Sequence, residues 1–99
     1  MRAMLSLNSA EMRKLRSRAQ LLKATIKVGR AGVTAPFLQA LDLELTRLEL
    51  VKVKFDEFKE QKKELAPQLA GKTNSLLVTL VGNVAVLYRP KPAKENSAE

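Results

Sequence analysis

The sequence predicts an α/β fold: a single compact domain with elements in the order α-β-α-β-α-β-β, a four-stranded mixed sheet and three helices. Three observations predict it. Apolar residues recur at intervals of three and four in three segments and alternate in the segments between and after them. Two of the helical segments lie between strands, and crossovers of that length favour parallel pairing of the first strand with the second and of the second with the third. Gly82-Asn83 joins the last two strands as a tight hairpin, which forces one antiparallel pair and makes the sheet mixed. Ninety-nine residues with 45% hydrophobic content support one modest core and one domain.

The elements follow in order from local chemistry. Asn8-Ser9-Ala10-Glu11 has the spacing of a capping box with Asn8 as N-cap. Met12, Leu15, Ala19 and Leu22 then form one apolar stripe, so the first helix runs to about Leu22. Arg13 and Arg16 flank that stripe on one side and Lys14 and Arg18 on the other, making both flanks cationic. Thr25 to Val28 alternates, with Ile26 and Val28 on one face, and the strand stops at Gly29. Thr34 caps the second helix, Pro36 occupies a first-turn position where no N–H is needed, and Phe37, Leu38, Leu41, Leu45 and Leu48 make its stripe. Leu50 to Phe55 alternates again, with Val51, Val53 and Phe55 inward and Lys52 and Lys54 on a polar face.

Phe58, Leu65 and Leu69 give the third helix an apolar edge. Pro67 lacks an N–H and predicts a kink or early end near Lys63 to Ala66, with Gly71 as the C-cap. Ser75 to Val81 and Val84 to Arg89 are the hairpin strands, and Pro90 ends the last one. Residues 91–99 form a polar, proline-punctuated tail predicted to be disordered, which leaves 7–90 as the domain.

Charge and absences narrow the chemistry. The chain carries 18 Lys+Arg against 10 Asp+Glu, a formal +8, and the excess is uneven. Residues 1–40 hold eight basic residues against Glu11 alone, a surplus of +7, and the remainder holds only +1. This is a localised electrostatic footprint that suits a polyanion. With no Cys and no His there is no thiolate or imidazole metal site and no Ser-His or Cys-His nucleophile pair. The reading is therefore not an enzyme, with no metal and no cofactor. Glu49, at the end of the second helix, reads as a local partner for a lysine, because no second carboxylate stands at useful spacing. No apolar run approaches the roughly 20 residues of a membrane span, and the N-terminus lacks the apolar region of a signal peptide. A cytoplasmic protein without a membrane partner is the expectation.

The stretch Thr25-Ile26-Lys27-Val28-Gly29-Arg30-Ala31-Gly32-Val33-Thr34 is an apolar run closing on a glycine-bracketed basic loop that opens into a helix. Glycines let backbone N–H groups approach an anion, Arg30 adds charge between them, and free N–H groups at the helix start add a positive dipole end. On spacing alone, Gly29 and Gly32 read as an ordinary strand-to-helix turn needing positive φ, and it is the charge of the segment, with the resemblance described below, that turns the reading toward phosphate. The loop resembles the GxxG element of KH domains, which clamps backbone nucleotides rather than reading bases. The candidate RNA-binding residues are Gly29, Arg30, Ala31 and Gly32, with Lys23, Lys27, Arg13, Lys14, Arg16 and Arg18 as the adjoining basic surface. Phe37, Phe55 and Phe58 sit on apolar faces and Tyr88 reads as a hairpin core residue, so a base-stacking platform is not expected.

From Leu7 to Pro90 the chain resembles the CRM domain (chloroplast RNA splicing and ribosome maturation) in its bacterial stand-alone, YhbY-type form. The carriers are Leu22-Lys23, the loop Gly29-Arg30-Ala31-Gly32 followed by Val33-Thr34, the junction Glu49-Leu50-Val51-Lys52-Val53-Lys54, and Leu87-Tyr88-Arg89-Pro90. The resemblance implies a four-stranded mixed sheet with three helices, similar to the C-terminal domain of a bacterial translation initiation factor. It also implies RNA binding through the GxxG loop and adjoining basic surface, and association with precursors of the large ribosomal subunit. Two residues depart from the family pattern: Ala24 stands where members often have proline, and Pro67 falls within the third helix. The resulting reading is a monomeric protein that binds ribosomal RNA or precursor large subunits in ribosome assembly. The alternative is a structural or interaction module resident on mature ribosomes or docking on an acidic protein.

Overall fold

The computed structural model describes residues 7–91. Its elements are α1 (Ser9–Gln20), β1 (Ile26–Val28), α2 (Ala35–Leu48), β2 (Leu50–Phe55), a 3-10 turn (Lys59–Gln61), α3 (Lys62–Lys72), β3 (Leu76–Val81) and β4 (Val84–Tyr88). The order α-β-α-β-α-β-β is the one the sequence predicts. Most of the polar tail, residues 92–99, lies outside the described residues.

The helix starts are set by side chains that take orphan N–H groups. At α1 the capping box closes both ways, with the Glu11 N–H donating to Asn8 Oδ1 at 2.8 Å and the Asn8 N–H donating to Glu11 Oε1 at 3.0 Å. At α2 the Phe37 N–H donates to Thr34 Oγ1 at 3.2 Å. The first helix ends at Gln20, two residues earlier than its stripe predicts, and Leu22 lies beyond it.

The sheet order is β1-β2-β4-β3. β1 and β2 are parallel, with Val28 opposite Phe55, whereas β4 is antiparallel to both β2 and β3. The predicted direct pairing of β2 with β3 is therefore replaced by insertion of β4 between them. Burial explains it: Ala85, Val86 and Leu87 are consecutive and all buried, so β4 is apolar on both faces and belongs in the middle of the sheet. β2 and β3 still run in the same direction, as a helical crossover requires. Gly82, at φ 58, supplies the positive φ at the first position of the β3–β4 turn. Val78 is the extra residue of an irregularity between Leu77↔Leu87 and Thr79↔Val86.

The two faces of the sheet are covered unequally. Under α2 and α3 lies a cluster of 11 buried residues that includes Val28, Leu41, Leu45, Val51, Val53, Phe55, Leu69 and Leu87. Under α1 lie five: Leu15, Ala19, Leu50, Val78 and Val86. Leu50 shares its face with Lys52 and Lys54, so the face read as polar is apolar where α1 crosses it.

Three expectations for the third helix are overturned: its early end, its glycine cap and the place of Phe58. It runs without interruption from Lys62 to Lys72 with Pro67 inside it. Pro67 points to solvent while Ala66, Leu69 and Ala70 on the other side are buried, so water can satisfy the carbonyl that proline leaves free while packing holds the helix. Gly71 is helical, and the C-cap is Thr73, whose Oγ1 donates to the Leu69 carbonyl at 2.7 Å. Phe58, assigned by sequence to the helix edge, precedes the 3-10 turn in a left-handed conformation (φ 59). Glu49 pairs with no lysine among the described residues. It ends α2 at φ 67, and its carbonyl accepts the Arg89 N–H at 2.8 Å.

Arg89 fastens the last strand to two helix ends. Its guanidinium donates to Asp42 Oδ1 at 2.7 Å, to the Thr73 carbonyl at 2.7 Å, and to the Asp42 carbonyl and Thr46 Oγ1, both at 2.9 Å. This cation is committed to the fold.

Candidate nucleic-acid interface

Gly29 to Gly32 form a tight turn in which the Gly32 N–H donates to the Gly29 carbonyl at 3.0 Å. The fold constrains the two glycines differently. Gly32 has φ +75, and a Cβ added there would lie 3.2 Å from the Phe58 ring, so both conformation and space demand glycine. Gly29 has neither constraint: its φ lies outside the left-handed region and a Cβ would meet nothing within 4 Å. Nothing in the described chain requires a glycine at 29, and its bare backbone faces outward. Arg30 and Ala31, at the centre of the turn, are exposed, and their N–H groups reach no acceptor among the described residues.

The helix start contributes less to this loop than the sequence predicts. Thr34 occupies the Phe37 N–H and its carbonyl accepts the Leu38 N–H, while Pro36 has none to offer. Ala35 is the remaining donor of that first turn. Most of the backbone donors here that reach no acceptor among the described residues are those of the turn itself.

The basic residues fall into two groups. Arg13, Lys14, Arg16 and Arg18 are exposed along α1. Lys52 reaches from β2 to the end of that helix, where its Nζ donates to the Leu22 carbonyl at 3.0 Å. With Arg18 and Lys23 it borders one groove, and with Arg16 a second hollow. Sequence reading left Lys52 on a polar strand face; only the packing of α1 across β2 reveals that it extends the cationic surface.

The second group is the loop with Lys27. Lys27 lies opposite Lys54 in the parallel register, and their ammonium groups stand 4.0 and 3.8 Å from the Asp56 carboxylate. All three side chains are more than a third exposed, so these pairs are weak and leave the lysines available. By strand alternation Lys27, Lys52 and Lys54 share the face of the sheet that carries α1. Lys27, two residues before Gly29, is the step between the α1 cations and the loop. No ion pair or hydrogen bond joins the two groups directly among the described residues.

Other arginines are spent elsewhere, Arg47 on Glu44 and Arg89 on Asp42, each at 2.7 Å. Among the described residues no group of three His, Cys, Asp or Glu side chains could hold a metal ion, and no helix is long and apolar enough to cross a membrane.

Comparison with known proteins follows the same outline. The CRS1 / YhbY (CRM) domain model matches residues 7–89. The chain is 35% identical over 91 residues to a Bacillus subtilis (strain 168) protein named Probable RNA-binding protein YqeI, spanning 91% of this chain and 93% of that one. Its fold superposes with a TM-score of 0.74 on the solution structure of a Staphylococcus aureus protein described as "a putative RNA binding protein", at 33% identity, covering 95% of this chain and all of the other (100%).

Proposed function

The chain belongs to the CRS1 / YhbY (CRM) domain family, and from that premise we propose that it binds RNA in ribosome assembly. The ligand is ribosomal RNA or a precursor of the large subunit, held by its phosphates on the Gly29–Gly32 loop and on the cations of α1. RNA binding is supported by the names of its relatives. The observation that carries the loop assignment is the contrast between its glycines. Gly32 is explained by the fold, whereas Gly29 is left bare beside the exposed Arg30 and two N–H groups that reach no acceptor among the described residues.

A phosphate seated at the turn accepts from the Arg30 and Ala31 N–H groups while the guanidinium neutralises its charge. Lys27, Lys23, Lys52 and the α1 arginines then follow the backbone across the sheet face. Contacts of this kind carry affinity and orientation rather than sequence, so selectivity comes from the shape of the folded RNA. The protein acts by binding alone.

Crosslinking to RNA in cells, with sequencing of the attached fragments, tests the ligand. Ribosomal RNA fragments together with enrichment on immature large subunits in a sucrose gradient are the expected result. Equal occupancy of translating ribosomes would make the protein a resident of the mature particle instead.

A further inference from the structure

A phosphate-binding surface does not require leucines, yet three exposed ones border the groove between the end of α1 and the end of α2. Leu21 is 87% exposed, Leu48 42% and Leu22 41%, around an open hollow of about 390 Å³. Arg18, Lys23 and Lys52 stand on its edge. Leu21 is the C-cap of α1, where its N–H donates to the Arg18 carbonyl at 3.1 Å and the Leu22 N–H to the Ala19 carbonyl at 3.0 Å, so the backbone that carries both leucines is held at the helix end. The result is an apolar floor rimmed by three cations.

We propose that this groove is a docking site for an acidic amphipathic segment of a protein partner, its apolar side chains on the leucines and its carboxylates on Arg18, Lys23 and Lys52. The charge on the rim selects among occupants. A second copy of this chain would bring three like charges against three, which opposes self-association. Residues 92–99 offer no apolar side chain larger than proline. An RNA backbone, which the proposed function lays along these same cations, uses the rim alone, so it and a protein segment compete for Arg18, Lys23 and Lys52, and only the segment also covers the leucines with an apolar face. An acidic segment with one apolar face uses both halves of the site.

The test is a titration of the isotope-labelled protein with a synthetic helical peptide bearing leucines on one face and glutamates beside them. A matched peptide with lysines in place of the glutamates serves as control. The acidic peptide should saturate and shift the amides of Leu21, Leu22 and Leu48, and the lysine peptide should bind at least tenfold more weakly. Leu21→Ser, neutral and exposed, should weaken the acidic peptide at least fivefold and leave affinity for structured RNA within twofold. Arg30→Ala should do the reverse, so loss of this proposal and loss of the RNA reading are separable. Failure to saturate, equal binding of both peptides, or an unchanged acidic-peptide affinity in Leu21→Ser would overturn the proposal. So would RNA that shifts the same amides and weakens with Leu21→Ser, because the groove would then be RNA surface. Amide shifts in residues 92–99 caused by Leu21→Ser alone would assign the groove to the chain's own tail.

Discussion

The two faces of the sheet divide the work of this molecule. Beneath α2 and α3, 11 buried residues form a continuous core, whereas beneath α1 there are five, and the remainder of that face carries Lys27, Lys52 and Lys54. Apolar burial is the main favourable term in folding, so the α2/α3 side supplies most of the stability. The thin α1 side can hold cations without disturbing it. The same division separates the arginines. Arg89 makes four hydrogen bonds to α2 and to the end of α3, while Arg30 is exposed on the loop.

Substitutions sharpen or break this contrast. The largest effect is expected at Leu41→Ala or Leu45→Ala, both fully buried, at about 3–5 kcal/mol in denaturant unfolding, with Leu15→Ala under α1 near 2 kcal/mol. Equal losses on the two sides would mean that α1 is as deep a part of the core as α2. Next, Arg89→Ala should cost about 1–3 kcal/mol, because the Thr73 carbonyl at a buried residue loses its charged donor. RNA affinity of that variant, measured where it is folded, should stay near wild type; a large loss would place Arg89 at the interface. Smaller again is the difference between the glycines. Gly32→Ala should destabilise by about 1–2 kcal/mol through its left-handed φ, and Gly29→Ala by under about 0.5 kcal/mol. In RNA binding the weight reverses for Gly29, where an added methyl obstructs approach to the turn. If Gly29→Ala binds as wild type does, the bare backbone at 29 has no role in phosphate contact.

What could be read from the sequence was local. The Asn8 and Thr34 caps, the alternation through Val51, Val53 and Phe55, and the Gly82-Asn83 turn each depend on residues within a few positions of one another. What could not be read depends on partners brought from elsewhere. Lys52 joins the α1 cations because α1 crosses β2, and no periodicity within Leu50–Phe55 carries that fact. Part of the difference between Gly29 and Gly32 comes from Phe58, 26 positions beyond Gly32, whose ring occupies the space a Cβ there would need. The third helix passes through Pro67 because Ala66, Leu69 and Ala70 pack on the sheet, a tertiary term that local propensity omits. The central strand β4 carries Ala85-Val86-Leu87 as an unbroken apolar run. The edge strand β3 carries an equally unbroken run in Leu76-Leu77-Val78, so the run alone does not say which hairpin strand is central.

The α1 side makes its own prediction, the smallest in stability. Lys23→Ala, Lys27→Ala and Lys52→Ala should each shift unfolding by under about 0.5 kcal/mol and weaken RNA modestly, in the same direction. A normal affinity for all three would remove these lysines from the interface and leave the loop and the α1 cations.

The central claim is that the Gly29–Gly32 turn and its arginine hold phosphate. The most direct measurement is the affinity of wild type and Arg30→Ala for a structured ribosomal RNA fragment across a series of salt concentrations. The wild type should show log affinity falling linearly with log salt. Arg30→Ala should remain folded, bind more weakly and lose about one from that slope, as removal of a single phosphate contact requires. Identical affinity and slope for the two proteins would show that the loop is a turn of the fold and that the RNA surface lies elsewhere.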